Sequence, residues 1–262
     1  MSPLDYGPIT ETPGLHVSQE QLARFAHRYI HGAELANGRR VLEVGCGAGV
    51  GLSVLGEKAS RLTGLDATEA LLHMAQAQYG QQFPLTCGDA QQLPYADAAF
   101  DLVLCFEAIY YKADYRTFLR ESLRVLSGGG LLLIVYSNPD WPEFVHGRLS
   151  VHYPSVPELA HELEAAGFRR VRFAGILPAT SYTLKQRAIQ RLRRYILRVI
   201  AAPHTGVLAH LLKKFSYGRL APLPAASTAQ SLTPYAAQLA PQPLPAYQAD
   251  RVHRVLYAYA ET

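Results

Sequence analysis

The sequence predicts an α/β fold, a mostly parallel sheet with helices on both faces. Three observations predict it. Between Arg40 and Phe173, short apolar runs alternate with segments of helical period, and parallel strands need helical crossovers. A glycine-rich turn, Gly45-Cys46-Gly47-Ala48-Gly49, closes the first run. Polar residues suited to holding a ligand recur at the carboxyl ends of the runs, where open parallel sheets bind.

The elements follow in order. Gln19 to Leu35 places Leu22, Phe25, Ala26, Tyr29 and Ile30 at helical spacing, and Asn37-Gly38 ends that helix. Strands are expected at Arg40–Val44, Arg61–Leu65, Phe83–Cys87, Phe100–Phe106, Leu131–Tyr136, Phe168–Phe173 and Val252–Ala260. A helix starts within Val50–Gly56, and a second spans Thr68–Tyr79 with Thr68 as N-cap. Asp114 caps a third that runs to about Leu126, with Gly128 as its stop. Ser155-Val-Pro-Glu158 is a capping box, and its helix ends at Gly167.

Composition bounds the chain further. Its 262 residues are 49% hydrophobic and 18% charged, a globular balance. No apolar run approaches the roughly 18 residues that span a bilayer. Met1 to Gly14 carries no basic residue, unlike a signal or transit peptide, so a cytoplasmic protein is expected. Cys46, Cys87 and Cys105 form no CxxC pair and read as buried or half-buried reduced thiols; no metal site is expected. Between Glu164 and Asp250 there are twelve Lys and Arg and no acid, although the net charge is only +4. Leu184–Ile200 reads as an amphipathic helix with Arg187, Arg191, Arg194 and Arg198 on its polar face. Leu208–Phe215 reads as a second basic helix, and the Pro-rich Ala221–Tyr247 as irregular. Three regions follow: an N-terminal helical cap at 1–38, the α/β domain at 39–175 and 251–262, and a basic helical and Pro-rich insertion at 176–250 that serves as lid or acceptor platform.

The chemistry concentrates in three motifs. In Val41-Leu-Glu43-Val-Gly45-Cys46-Gly47-Ala-Gly49, alternate glycines let the backbone turn sharply and approach a ligand, and the following helix points its N-terminus at it. Leu65-Asp66 ends the second strand, where a carboxylate can accept from both hydroxyls of a ribose. Gly88-Asp89-Ala90 follows the third, where Asp89 can accept from an exocyclic amine such as that of adenine. A dinucleotide fingerprint would need glycine where Val50 stands. Glu43 would sit poorly beside a pyrophosphate, and suits a cationic ligand such as a sulfonium with an amino acid tail.

This set resembles the class I S-adenosylmethionine-dependent methyltransferases, close to the group called methyltransferase type 11. The resemblance runs from about Arg40 to Arg172 and resumes at Arg251, and includes Phe100-Asp101-Leu-Val, Leu123-Arg-Val-Leu-Ser-Gly-Gly-Gly130 and Glu164-Ala-Ala-Gly-Phe168. It implies a Rossmann-like sheet whose seventh strand is antiparallel, and S-adenosyl-L-methionine as cofactor. It implies that Gly45, Cys46, Gly47 and Gly49 cradle the methionine moiety and that Asp66, with Ala67, holds the ribose. Asp89 and Ala90 would hold the adenine, and Phe106 and Glu107 would lie under the sulfonium.

The expected reaction is in-line methyl transfer to a small-molecule acceptor, such as a sugar or a lipid-linked intermediate. A hydroxyl acceptor needs a base; the candidates are Glu107, Tyr110, Tyr111, His146 and His152, with Glu107, Tyr110 and His146 foremost. Where an N/D-P-P-Y/F motif would mark base or glutamine methylation, the chain reads Phe106-Glu-Ala-Ile-Tyr110. The basic 184–219 region suits an anionic acceptor or peripheral contact with an anionic membrane. No base-reading motif accompanies it, which speaks against nucleic acid. The alternative reading is a non-catalytic module that binds S-adenosylmethionine or scaffolds a complex.

Overall fold

The computed structural model describes residues 6–7, 10–147, 149–178, 220–237 and 239–262. The chain runs β1 (His16–Val17), α1 (Gln19–Leu35), β2 (Arg40–Val44), α2 (Leu52–Gly56), β3 (Arg61–Asp66), α3 (Glu69–Tyr79), β4 (Leu85–Cys87) and β5 (Phe100–Phe106). A 3-10 turn at Ile109–Tyr111 leads to α4 (Tyr115–Val125), β6 (Leu126–Ser137), α5 (Val156–Ala166) and β7 (Arg169–Pro178). After 220 come β8 (Ala221–Pro222), α6 (Ala229–Ala236), β9 (Gln242–Leu244) and β10 (His253–Glu261).

The main sheet has the order β4-β3-β2-β5-β6-β10-β7-β9. Neighbours from β4 to β6 are parallel, whereas β10 runs antiparallel to both β6 and β7. The chain winds outward from β2 through β3 to β4, then returns to build β5 and β6 on the other side. The order therefore reverses between β2 and β5, and the crevice at their carboxyl ends is the place for a ligand. Leu131 to Tyr136 is buried on both faces, as a central strand covered by helices must be. One core packs α1 and α2 on one face through Phe25, Leu52 and Leu55, and the other packs α4 and α5 through Phe118 and Leu159.

Local signals set the helix ends. Ser18 and Gln21 form a reciprocal capping box on α1. Asp114 accepts from Arg116 N and Ser155 from Glu158 N, and Gly167 closes α5 at φ 108°. Thr68 stands at the α3 N-cap, but its side chain caps nothing; Asp66 Oδ1 takes the Thr68 N–H at 2.8 Å instead. Gly128 is not the stop of α4, which ends at Val125 and passes directly into β6.

Seven strands stand where expected, with β7 extended to Pro178. An eighth, β9, adds to the sheet edge by pairing antiparallel with β7. The Pro-rich stretch is thus not irregular. Thr228 and Ser231 cap α6, which packs on α1, and β8 pairs with β1. Pro243 is tolerated because β9 is an edge strand. The expected helices at 184–200 and 208–215 lie outside the described residues. Cys46 and Cys105 are buried, but Cys87 is exposed.

Candidate functional site

At the end of β2 the chain must turn under its neighbours. Gly45 and Gly47 adopt φ 82° and 55°, which side chains rarely tolerate. A Cβ on Gly45 would lie 2.7 Å from the Ala108 Cβ, and one on Gly47 2.7 Å from Thr10 Cγ2. The loop's own donors turn inward: Gly45 N–H and Cys46 N–H reach Leu65 O at 2.7 and 3.1 Å, and Gly47 N–H reaches Asp66 Oδ2 at 2.8 Å. The helix after the loop, α2, is only five residues long. The helix expected after the loop is present but short, and the loop is held by its own backbone bonds and by Asp66.

Asp66 spends one acceptor position of each oxygen on backbone, Oδ2 on Gly47 and Oδ1 on Thr68. Each oxygen keeps a second lone pair, so the carboxylate both braces the loop and still accepts from a ligand. Glu43 lies deeper, 1% exposed, and does not line the cavity. Tyr29 OH donates to its Oε1 at 2.7 Å. Burial pushes the Glu43 carboxyl up to about 7, against the opposing pull of that hydrogen bond and of Arg28.

The loop opens on a cavity of about 790 Å³. One end holds Ala67, Cys87, Gly88, Asp89 and Ala90; Gly45, Cys46, Gly47 and Asp66 line the middle; Phe106, Glu107, Tyr110 and Tyr111 line the other end. Asp89 is exposed and accepts from the Gln91 backbone N–H at 2.8 Å. Gly49 packs against Ala75 and Tyr79 and does not line the cavity.

At the far end, Glu107 leaves β5 at φ 51°, a strained value for a side-chain-bearing residue. Its Oε1 accepts from Arg24 Nη2 at 2.5 Å, and its Oε2 from Tyr110 OH at 2.8 Å and Ser137 Oγ at 3.1 Å. Burial alone would raise this carboxyl, but Arg24, Arg28 and the Tyr110 hydroxyl outweigh it and hold it below its ordinary value. Burial, with Glu107 beside it, pushes the Tyr110 hydroxyl well up.

Known proteins are similar to this chain in sequence and in fold. Residues 42–134 match the family model of the methyltransferase domain. The chain is 35% identical over 162 residues to a probable S-adenosylmethionine-dependent methyltransferase of Mycolicibacterium smegmatis, covering 60% of this chain and 62% of that one. It is 35% identical over 153 residues to the fatty-acid O-methyltransferase of the same organism, covering 54% and 55%. A solved S-adenosylmethionine-dependent methyltransferase from Archaeoglobus fulgidus superposes at TM-score 0.57 and 16% identity over 94% of this chain and 95% of that chain, a likeness of fold. Over these residues the chain is similar to the class I S-adenosylmethionine-dependent methyltransferases, and it shares their fold. The chain spans about six-tenths of the length of these curated relatives.

Not every expected residue reaches the cavity. Glu107, Tyr110 and Tyr111 line it; His146 and His152 do not. His146 is exposed and packs edge-on against Phe144 and Tyr153. His152 stacks on Tyr115 and bonds to Glu158 Oε1 at 2.7 Å. Among the described residues, no group of three or more His, Cys, Asp or Glu is placed to hold a metal ion. No described helix is long and apolar enough to cross a membrane.

The cavity also recruits residues the motifs missed. Arg24 and Arg28, one turn apart on α1, line the cavity with Gln21 and Tyr29. Arg28 pairs with Glu11 and lies over the Phe25 and Tyr29 rings. Tyr6, Thr10, Glu11, Leu15 and Val17 form an N-terminal strap along the cavity, and Tyr6 packs on Tyr111. The readable signal was faint: two arginines amid the apolar positions of one helix.

Proposed function

We propose that this protein is an enzyme that transfers the methyl group of S-adenosylmethionine to a small-molecule acceptor. One observation carries the reading. The positions at Gly45 and Gly47 where a side chain would collide, and the Asp66 carboxylate that braces them, open on one cavity with Glu107 and Tyr110 at its far end. Residues of the right chemistry line it in the right order. Asp66 would take the ribose, with Ala67 beside it. Asp89 and Ala90 would flank the adenine, and Gly45, Cys46 and Gly47 the methionine moiety. Phe106 and Glu107 fall at the sulfonium end. Glu43 acts from beneath the loop, through charge. When bound, the sulfonium supplies an electrophilic methyl group. The chain's part is to align an acceptor against it and exclude water, which supplies roughly 7–11 kcal/mol in well-oriented cases.

One relative is named as acting on a fatty acid and another on phthiotriol dimycocerosates, which favours a lipid-like acceptor. The excess of Lys and Arg at 169–219 suits an anionic acceptor, or peripheral contact of a cytoplasmic enzyme with an anionic membrane. The test is calorimetry with S-adenosylmethionine, S-adenosylhomocysteine and NAD, followed by transfer of labelled methyl to a lipid extract. Binding of the first two and transfer of label are expected. Failure of S-adenosylhomocysteine to bind the folded protein would overturn the reading.

A further inference from the structure

The candidate bases Glu107 and Tyr110 are committed to one another, and the cation that holds Glu107, Arg24, also lines the cavity. Arg24 spends Nη2 twice, on Glu107 Oε1 at 2.5 Å and on Ser137 Oγ at 3.0 Å. Its Nε and Nη1 have no hydrogen-bond partner among the described residues, and the side chain is 23% exposed in the cavity wall. Glu107 has no free role as a proton acceptor: three donors hold it, and Tyr110 OH is one of them. Its strained backbone is fixed by its N–H to Val135 O at 2.7 Å. Strain of this kind persists where the surroundings impose it, and here it aims a carboxylate at a guanidinium. Glu107 is thus a positioning residue for Arg24.

Apolar residues line the same cavity as Arg24. They are Leu15, Val17, Tyr111 and Val151, of which Leu15 and Val151 are 43% and 57% exposed. Resting on the proposed methyl transfer, we propose that the acceptor is a carboxylate carried on an apolar body, and that Arg24 seats the carboxylate. Such an acceptor brings its own nucleophile, since a carboxyl of ordinary pKa, about 4, is ionised at neutral pH. One carboxylate oxygen forms the new bond to the methyl carbon. The methyl–sulfur bond breaks and its electron pair stays on sulfur. The acceptor's negative charge and the sulfonium's positive charge cancel, and no proton moves. The products are a methyl ester and S-adenosylhomocysteine. A guanidinium already facing Glu107 matches a monoanion better than a phosphate dianion.

The test uses decanoate, decanol and decylamine as probes on the full chain. Calorimetry with S-adenosylhomocysteine bound should show decanoate binding, and labelled S-adenosylmethionine should yield the methyl ester. Its rate should be flat between about pH 6 and 8, where a reaction that needs the Tyr110 hydroxyl ionised, held well above its ordinary value, rises about tenfold per pH unit. Arg24→Gln should lose about tenfold or more in decanoate affinity, the size of a lost charge-assisted hydrogen bond, with S-adenosylhomocysteine affinity within about twofold. Arg24→Lys keeps the charge and should recover part of the loss. Glu107→Gln should raise KM for decanoate without changing the shape of the pH profile. Preference for decanol or decylamine, or no binding of decanoate, overturns the proposal. So does an Arg24→Gln protein that loses S-adenosylhomocysteine and decanoate equally, since Arg24 then serves the cofactor. Loss of S-adenosylhomocysteine binding by the unaltered chain is a different result, and refutes methyl transfer itself.

Discussion

The Tyr29 hydroxyl donates to Glu43 Oε1 at 2.7 Å and leaves Glu43 Oε2 buried without a partner among the described residues. One acceptor bond is too little for a buried carboxylate, so its protonated form gains, and the group titrates at about 7. The sign follows. A folded-state pKa above the unfolded value stabilises the fold most below the unfolded value, and that contribution is lost as pH rises through about 7. Glu43→Gln, neutral throughout, should lack this dependence. The difference in stability between pH 4 and pH 8 should be on the order of 3 kcal/mol larger for the unaltered chain. Urea denaturation at the two pH values measures it, and parallel curves for the two proteins would refute it. A cationic cofactor in the loop above should favour the ionised form. Binding at pH 7 should therefore release a fraction of a proton, read by calorimetry in buffers of different ionisation enthalpy, and Glu43→Gln should abolish the release.

Asp66 carries two duties that separate by substitution. Its oxygens hold the Gly47 and Thr68 N–H groups at 2.8 Å each. Asp66→Asn keeps one acceptor oxygen and should retain part of the brace. Asp66→Ala keeps none. We expect S-adenosylhomocysteine affinity to fall by about 1–3 kcal/mol in Asp66→Ala and by less in Asp66→Asn. Equal affinity for the unaltered chain and a folded Asp66→Ala would show that no ribose rests there.

Gly45 is constrained by its φ of 82° and by Ala108, whose Cβ lies 2.7 Å from where a Gly45 Cβ would stand. Gly45→Ala should therefore cost about 1–3 kcal/mol of stability and impair cofactor binding. Adding Ala108→Gly removes the collision and leaves the dihedral cost, so the double variant should recover part of the loss. A double variant no better than Gly45→Ala in thermal unfolding would assign the whole effect to the backbone.

Much of this was legible in the sequence because the signals are local. Continuous apolar runs such as Leu131–Tyr136 mark buried parallel strands, and Asp66 ends β3 while Asp89 lies two residues past β4. Residues that reach the cavity by packing were not legible. Arg24 and Arg28 look like the polar side of an amphipathic helix until α1 is laid across the sheet. His146 follows the right strand, but chain position does not say which way a loop turns, and it turns toward Phe144 and Tyr153. Glu43 has the right spacing for the site, yet the alternation of β2 buries it beneath the loop. Proline content hid α6, which holds Pro234, and β9, which holds Pro243 at a sheet edge.

The stretch from 220 to 250 tests how far the last third of the chain belongs to the fold. Leu232 on α6 is 1% exposed and joins the core that includes Phe25 and Leu55. Three polar links tie the same stretch down: Ser53 Oγ donates to Ser227 O at 2.7 Å, Ala229 N–H to Glu57 Oε1 at 3.1 Å, and His253 bonds Gln242 Oε1 at 3.0 Å. A detachable platform would have no such anchors, and its loss would leave the sheet unaffected. Leu232→Ala should therefore destabilise the whole domain by about 2–5 kcal/mol, as removing a buried leucine does. Tyr235, one turn away and 40% exposed, should tolerate alanine within about 0.5 kcal/mol. Neither residue lines the cavity, so S-adenosylhomocysteine affinity of the folded fraction should stay unchanged in both variants. The decisive comparison is urea denaturation of the two variants followed by one probe on the sheet. If Leu232→Ala unfolds at the same midpoint as Tyr235→Ala, the helix is an appendage, and the cooperative unit ends at β7 and β10.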